Sequence, residues 1–551
     1  MNRDPDARHE TRAWAVLLLA CGLVWFAVLG VRPLFNPDEG RYAQIPAEML
    51  ASGDFTVPHL DGLAYLEKPP LQYWATALAL AAFGHNEWAA RLVAAASAVL
   101  ALGFIYLLGR RAWGVERGLS AAAMGASMLL YVFMGQLLTL DMALSCCLTI
   151  ASVAFCLAQL ERDAAPRLTR NWMLVCWAAM AAATLTKGLI GVVLPGAVLV
   201  LYTALQRDAR AWRHLHLGKG IALYLALVLP WFLLVERAHP GALDFLIVRE
   251  HFQRYLTKVH DRYQPWWYFL MILAAGSLPW LPQVARALIT GWRRTRPRGE
   301  FDAARVLWVS AAFTLVFFSL SDSKLAPYIV PALPPLALLG AARGPSAARD
   351  LGLAALLQAA FGVVLGIALV AYGRRPLAGD PAWTYATLRP WVAGVALLLV
   401  AGGAAAFALR RARPGAAARL VAATGFTVGL TLIVGAATAI AQRYSAKPLL
   451  AAAGPLAAGA PLYTVDTFDW TLPFYAGRPV VPVAYRGELD FGLRDDPGRG
   501  LATLDEFKER WQAGAAGYAL VPHATAAALA RDGVAMRVLA QDFDNVLVSR
   551  R

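Results

Sequence analysis

Apolar residues in this chain run in long blocks rather than alternating. The blocks lie at about 13–32, 84–109, 118–136, 139–160, 172–187, 188–206, 218–236, 266–285, 304–321, 325–342, 351–372, 389–409 and 419–441. A helix needs roughly 20 mostly apolar residues to cross the hydrocarbon core, and only structures that satisfy their own backbone can do so. The pattern predicts a polytopic α-helical membrane protein with about thirteen transmembrane helices. After residue 441 the blocks end. Short runs at 462–465, 480–483, 534–539 and 545–549 predict strands, and 445–458 and 504–513 predict helices. The expected organisation is a membrane domain over 1–441 and a small C-terminal α/β domain over 442–551.

Most connections between blocks are short, but residues 33–75 form a long polar loop. A loop of that length is usually functional or disordered. This one carries helix-end signals: Asn36 as a cap, Pro37 in a first turn and Gly53 at a helix end. Tyr42, Ile45 and Met49 fall at helical spacing, which predicts a juxtamembrane helix, with Pro46 expected to bend it. Lys68-Pro69-Pro70 opens a second one, with Tyr73 and Trp74 expected at interfacial depth.

Charge refines the topology. The 551 residues are 59% hydrophobic and 16% charged, below the usual charged fraction of soluble chains. The net charge of +15 could suggest nucleic acid, but the cations are spread over loops. Arg110, Arg111 and Arg117, then Arg162, Arg167 and Arg170, then Arg207, Arg210 and Arg213 share one face if there are thirteen spans, as do Arg293, Arg296, Arg343 and Arg410. The positive-inside rule makes that face cytoplasmic. The N-terminus is then cytoplasmic, and the 33–75 loop and the C-terminal domain are periplasmic. The first block lacks a small-residue cleavage site and reads as a retained span. The five cysteines lie in apolar runs and read as buried small hydrophobes.

Ionisable groups at a membrane face are costly and therefore informative. On the expected outer side stand Asp38, Glu39 and Arg41, then Tyr65, Glu67 and Lys68, then Asp141 and Lys187. His251 and Arg254 lie in the loop between the seventh and eighth spans, and Lys324 and Tyr328 open the tenth. Converging cations with one or two carboxylates suit an anionic ligand such as a lipid phosphate. Each residue also has a plain reading. Asp141 could serve its helix end with Thr139, Lys187 could snorkel, and Asp38 could simply favour a helix dipole. The aromatic residues Tyr73, Trp74, Trp266, Trp267 and Trp280 suit an aromatic belt. Zinc needs three or four ligands, and only Glu67, His251 and His59 are candidates by type.

The stretch PDEGRYAQIPAEMLASGDFTVPHLDGLAYLEKPPLQYW resembles the bacterial lipid A aminoarabinose transferases, glycosyltransferase family 83, which have the GT-C fold. The match in this loop is nearly continuous. TLDMAL around Asp141, LTKG around Lys187, EHFQRY around His251, KLAPYIVP around Lys324 and Tyr328, and FYAGRPVVPVAYRGELDFGL in the tail extend it along the chain. The resemblance places the essential acid at Asp38 with Asp141 as a second acid. It places donor-phosphate contacts at Lys68, Arg254, Tyr328 and Arg41; Glu67 also matches a motif position. Gly40 departs from the threonine of close relatives, a change expected to matter little.

The implied activity moves a sugar, 4-amino-4-deoxy-L-arabinose, from undecaprenyl phosphate to a lipid A phosphate on the periplasmic face of the bacterial inner membrane. No cofactor is required for such chemistry, and a structural zinc is the one metal considered. The runner-up is a polyprenyl-phosphate-sugar transferase with another acceptor, such as a protein O-mannosyltransferase. A lipid or sugar transporter is more distant, because the charges lie at one face and no internal repeat is visible.

Overall fold

The computed structural model describes residues 5–247, 264–293, 295–342, 348–372, 382–514 and 516–550. Every predicted apolar block contains helix. Eight described helices are individually long and apolar enough to cross a membrane, nine if one bent pair counts as a single span. That pair, Val115–Ser127 and Leu129–Gln136, bends by 68°. Two other blocks are broken where proline removes a backbone donor. The block at 266–285 is Tyr268–Gly276 and Leu281–Gly291, with Pro279 between them. The block at 325–342 opens as a tight 3₁₀ turn, Ala326–Ala332, before Leu333–Ala342.

Two compact units emerge. One comprises Met1–Val28 and Leu92–Ala436, and the other Leu29–Arg91 and Ala437–Arg551. The long polar loop therefore belongs to the same compact body as the C-terminal tail. The helical unit is built on close packing of small residues. Gly109 and Gly118 meet backbone to backbone, and Gly135 lies against the Trp25 ring. Trp280, expected in an interfacial belt, is instead buried and donates its indole N–H to the Ser127 hydroxyl at 2.8 Å. Trp266 and Trp267 are exposed, as a belt requires.

In the loop-and-tail unit the loop forms two helices, Asp38–Ser52 and Leu71–Phe83. Asp38 and Glu39 sit in the first turn of the former, where carboxylates favour the helix dipole. Gly53, at φ 74°, ends it, and its N–H closes onto the Met49 carbonyl. Between the helices lies a hairpin of β1 (His59–Leu60) and β2 (Leu63–Ala64). Its turn residues Asp61 and Gly62 both have positive φ, as a two-residue hairpin turn of the primed type demands. Glu48, reaching over from the first helix, accepts both turn N–H groups at 2.7 and 2.9 Å.

The tail carries a five-stranded sheet. Its strands are β3 (Leu462–Val465), β4 (Val481–Val483), β5 (Tyr518–Pro522), β6 (Arg537–Gln541) and β7 (Asn545–Ser549), in the order β4-β3-β5-β7-β6. β3 runs parallel to β4 and β5, while β7 pairs antiparallel with β5 and β6. Tyr463, Val465, Ala519, Val521, Val546 and Val548 alternate onto one face and pack on Phe507 and Trp511 of the Leu504–Ala513 helix. The sequence pattern missed β5 and the His523–Arg531 helix and placed β6 a few residues early.

Candidate active site

The two acids foreseen in the sequence lie in different compact units, and each has a cation as partner. In the loop-and-tail unit, Asp38 is half exposed, at 47% of its side chain, and pairs with Arg41 one helical turn on. Arg41 is only 6% exposed and also pairs with Glu488 of the tail. Its guanidinium donates to the Tyr65 hydroxyl at 3.0 Å, and that hydroxyl donates to Glu488 at 3.2 Å. The guanidinium lies 5.1 Å from the Tyr42 ring centre and 5.4 Å from that of Trp470. Burial alone would weaken the charge of Arg41, but the surrounding phenols and carboxylates outweigh it and raise its pKa. The result is a fixed cation whose Asp38 partner faces open space.

Lys68 is buried and donates to the Glu67 carbonyl at 2.7 Å. Tyr73, expected at a membrane interface, is completely buried against Tyr42, with ring centres 6.1 Å apart. Its hydroxyl has no hydrogen-bond partner among the described residues.

Glu39 does something different from its neighbour. Its carboxylate accepts from Arg32 at 2.5 and 2.9 Å and from Arg91 at 2.8 and 3.0 Å. It also takes the Phe35 N–H at 3.1 Å. All three charged side chains are 3% exposed or less. Arg91 further donates to the carbonyls of Leu29, Arg32 and Pro33. This knot ties the chain before Asp38 to the start of the Glu87–Trp113 helix, so Glu39 is an internal anchor. Burial by itself would raise the Glu39 carboxyl, yet the two guanidiniums outweigh it and hold it well below the usual carboxylate range.

Asn36 does not cap the Asp38–Ser52 helix as its position suggests; Pro37 is the flanking residue, without a side-chain cap. The Asn36 amide turns to the tail instead. Gly40 also proves consequential. A Cβ there would stand 2.4 Å from the Trp470 carbonyl carbon and oxygen, so the helix backbone lies directly against the tail. In this chain that close approach leaves no room for a side chain at position 40 unless the tail backbone shifts.

In the helical unit, Lys187 pairs with Asp141 at 2.5 Å, and its ammonium sits 4.9 Å from the Tyr328 ring centre. Thr139 flanks the Asp141 helix without bonding to it through its side chain. Tyr328 packs on Phe318, with ring centres 5.2 Å apart. Lys324 is buried and donates to the Ser321 carbonyl at 2.5 Å. Asp141, Lys187 and Tyr328 thus come together from three separate helices or turns, while Lys324 is engaged with its own turn. Arg254 and His251 lie outside the described residues. Among the described residues no three His, Cys, Asp or Glu side chains stand close enough to hold a metal ion.

Sequence reasoning missed Glu488, Arg32, Arg91 and Asp469. Arg91 had a legible signal, a charged residue near the start of an apolar block. Glu488 lies within the quoted tail motif, but its partner Arg41, more than 400 residues away, could not be read from the sequence.

Known proteins resemble the chain along most of its length. Residues 450–550 match the family described as aminoarabinose transferase C-terminal domain, and residues 67–233 match dolichyl-phosphate-mannose-protein mannosyltransferase. The undecaprenyl phosphate-alpha-4-amino-4-deoxy-L-arabinose arabinosyl transferase of Pseudomonas paraeruginosa is 35% identical over 70% of this chain and 74% of its own. The protein of the same name from Yersinia enterocolitica is 33% identical over 65% of each. The crystal structure of ArnT from Cupriavidus metallidurans bound to undecaprenyl phosphate superposes with a TM-score of 0.88, at 34% identity and 98% coverage of both chains. Its apo form gives 0.86 over the same coverage. With helices, loop motif and tail domain all matched, the chain belongs to the family of undecaprenyl phosphate-aminoarabinose arabinosyl transferases.

Proposed function

We infer that this protein transfers 4-amino-4-deoxy-L-arabinose from undecaprenyl phosphate to a lipid A phosphate, at the periplasmic face of the inner membrane. In this reading the N-terminus is cytoplasmic and the tail domain periplasmic. The observation that carries it is Asp38: a half-exposed carboxylate on a buried, multiply held arginine, within the loop whose motif resembles that of the family.

An acceptor phosphate oxygen attacks the anomeric carbon. The bond from that carbon to the donor phosphate breaks, and its electron pair leaves with undecaprenyl phosphate. The acceptor is already ionised near neutral pH and needs no general base. The cost lies in charge on the departing phosphate, which fixed cations and hydroxyl donors neutralise. Lys68, Arg254 and Tyr328 take that role, and Lys187 holds Asp141 beside Tyr328. Asp38 faces the positive charge that grows on the sugar, at the anomeric carbon or the amino group. Arg41 keeps the carboxylate oriented and is itself held by Tyr65 and Glu488.

No cofactor enters the reaction so written. A structural zinc would draw on Glu67 and His251, and metal analysis of the purified protein decides that point. The match of residues 67–233 to a mannosyltransferase family favours the second reading, a sugar moved from a polyprenyl phosphate to a hydroxyl acceptor. Asp38 would then be the general base.

Mass spectrometry of lipid A from cells with and without the protein separates the two. A gain of the aminoarabinose mass supports phosphate transfer, and an unchanged lipid A refutes it. Asp38→Asn should abolish transfer of radiolabelled sugar in proteoliposomes while the protein still inserts and melts normally. Near-normal activity in that variant would remove Asp38 from the mechanism.

A further inference from the structure

The tail domain grips the turn that leads into Asp38. Asp469, between β3 and β4, places one carboxylate oxygen on the Thr471 N–H at 2.8 Å, the Thr471 hydroxyl at 2.7 Å and the Leu472 N–H at 3.0 Å. Its other oxygen accepts from the Asn36 side-chain amide at 2.7 Å. The Asn36 side-chain oxygen in turn accepts the Thr471 N–H at 3.2 Å. Asn36 is therefore held at both ends of its amide by one short tail segment. Its own N–H goes to the Tyr444 carbonyl at 2.8 Å, and the Leu34 N–H goes to the Tyr475 hydroxyl at 2.6 Å. Gly40, in the helix that follows, lies against Trp470 and Thr471 of the same tail segment.

We propose that Asp469 is a positioning residue for sugar transfer: through Asn36 it fixes the turn that aims Asp38, which makes the tail domain a working part of the active site. The proposal rests on the reading of Asp38 as a reacting-site acid. Asp469 reaches that acid only through Asn36, two residues upstream. Asn36 and Asp469 have no other chemistry to do together: one is a neutral amide and the other a carboxylate whose three remaining bonds go to its own segment. A reacting group misplaced by about 1 Å can cost on the order of 100-fold in rate. A lever two residues long can easily shift Asp38 that far.

The pair can be inverted. In Asn36→Asp/Asp469→Asn the donor and acceptor exchange places, and the amide of position 469 can donate to the carboxylate of position 36. Proteoliposome assays with undecaprenyl phosphate-linked sugar and lipid A should show kcat falling about 10- to 100-fold in Asn36→Ala and in Asp469→Asn. KM for the donor should stay within about threefold, since the phosphate-binding cations are untouched. The exchanged double variant should recover most of the lost kcat. Asn36→Ala leaves every bond of Asp469 to its own segment in place, so it reports positioning even if Asp469→Asn folds poorly. A structural role alone would lower the melting temperature of Asn36→Ala and leave kcat of the folded enzyme unchanged, and that result overturns the proposal. So does a double variant that folds but stays as slow as the single ones. Asp38→Asn, run alongside, keeps the two readings apart. If it is inactive while Asn36→Ala is normal, only the positioning role fails; if it is active, the reading of Asp38 fails.

Discussion

Replacing Glu39 with glutamine should destabilise the loop-and-tail unit by about 3–5 kcal/mol, the usual cost of removing one partner from a buried ion pair. The carboxylate takes four bonds from two guanidiniums and one from a backbone amide. Glutamine keeps the shape and one acceptor oxygen, but turns an NH2 group towards a guanidinium that has nothing to accept with. Losing one neutral hydrogen bond would cost only about 1 kcal/mol; the rest comes from two buried cations deprived of the charge that neutralises them. Hydrogen exchange at the Phe35 amide is the direct assay, because that N–H donates to Glu39. A loss of opening free energy below about 1 kcal/mol would refute the argument. The pH dependence has a definite sign. The native Glu39 carboxyl lies well below its unfolded value of about 4.3. Its contribution is complete above that unfolded value and is lost as pH falls from there through the native value. The difference between wild type and Glu39→Gln should therefore be constant from neutral pH to about pH 5 and shrink in acid.

Other outcomes follow from the same geometry. Gly40→Thr should cost about 1–3 kcal/mol, because its Cβ meets backbone rather than a flexible side-chain tip; a melting temperature equal to wild type would contradict this. Asp61 is buried beside Glu48 and accepts the Val480 N–H, and burial first, then the Glu48 charge, push its pKa well above the ordinary value. Its contribution is thus complete below the unfolded value and lost as pH rises through the native one. Melts across pH 4–8 should show wild type losing stability relative to Asp61→Asn as pH rises; a constant difference would rule that out. Lys187→Met leaves Asp141 without its ion pair and takes a cation from Tyr328. Transfer should fall at least about tenfold, and unchanged turnover would show that this cluster stands apart from the reaction.

The loop motif illustrates how far reading along the chain can go. Asp38, Arg41, Lys68, Asp141 and Lys187 stand out because charges next to apolar blocks are expensive, and the expense is visible locally, whereas Tyr328 stands out only through the motif around it. The pairing of Lys187 with Asp141 was not legible, since it joins two helices whose packing the pattern leaves open. Glu39 shows the opposite failure. It sits beside Asp38 in the same cluster of outer-side charges, yet Arg32, seven residues before it, and Arg91, 52 residues after it, have made it an anchor. Tyr73 and Trp280 look like interfacial aromatics because both stand next to apolar runs. Whether an aromatic at such a position meets lipid or protein depends on which helix packs beside it.

The chain by itself determined that there are membrane-crossing helices, a structured polar loop between the first two, and a small α/β tail. Those follow from hydrophobic block length, helix-end residues and strand alternation, which act over a few turns of chain. Only the tertiary structure decided that the loop and the tail form one body, that Glu488 and Tyr65 hold Arg41, and that Asp469 holds Asn36. Each of those contacts joins side chains whose partners are set by packing. A carboxylate's demand for a donor is written in its chemistry, but the identity of that donor is fixed only when distant segments are brought within about 3 Å.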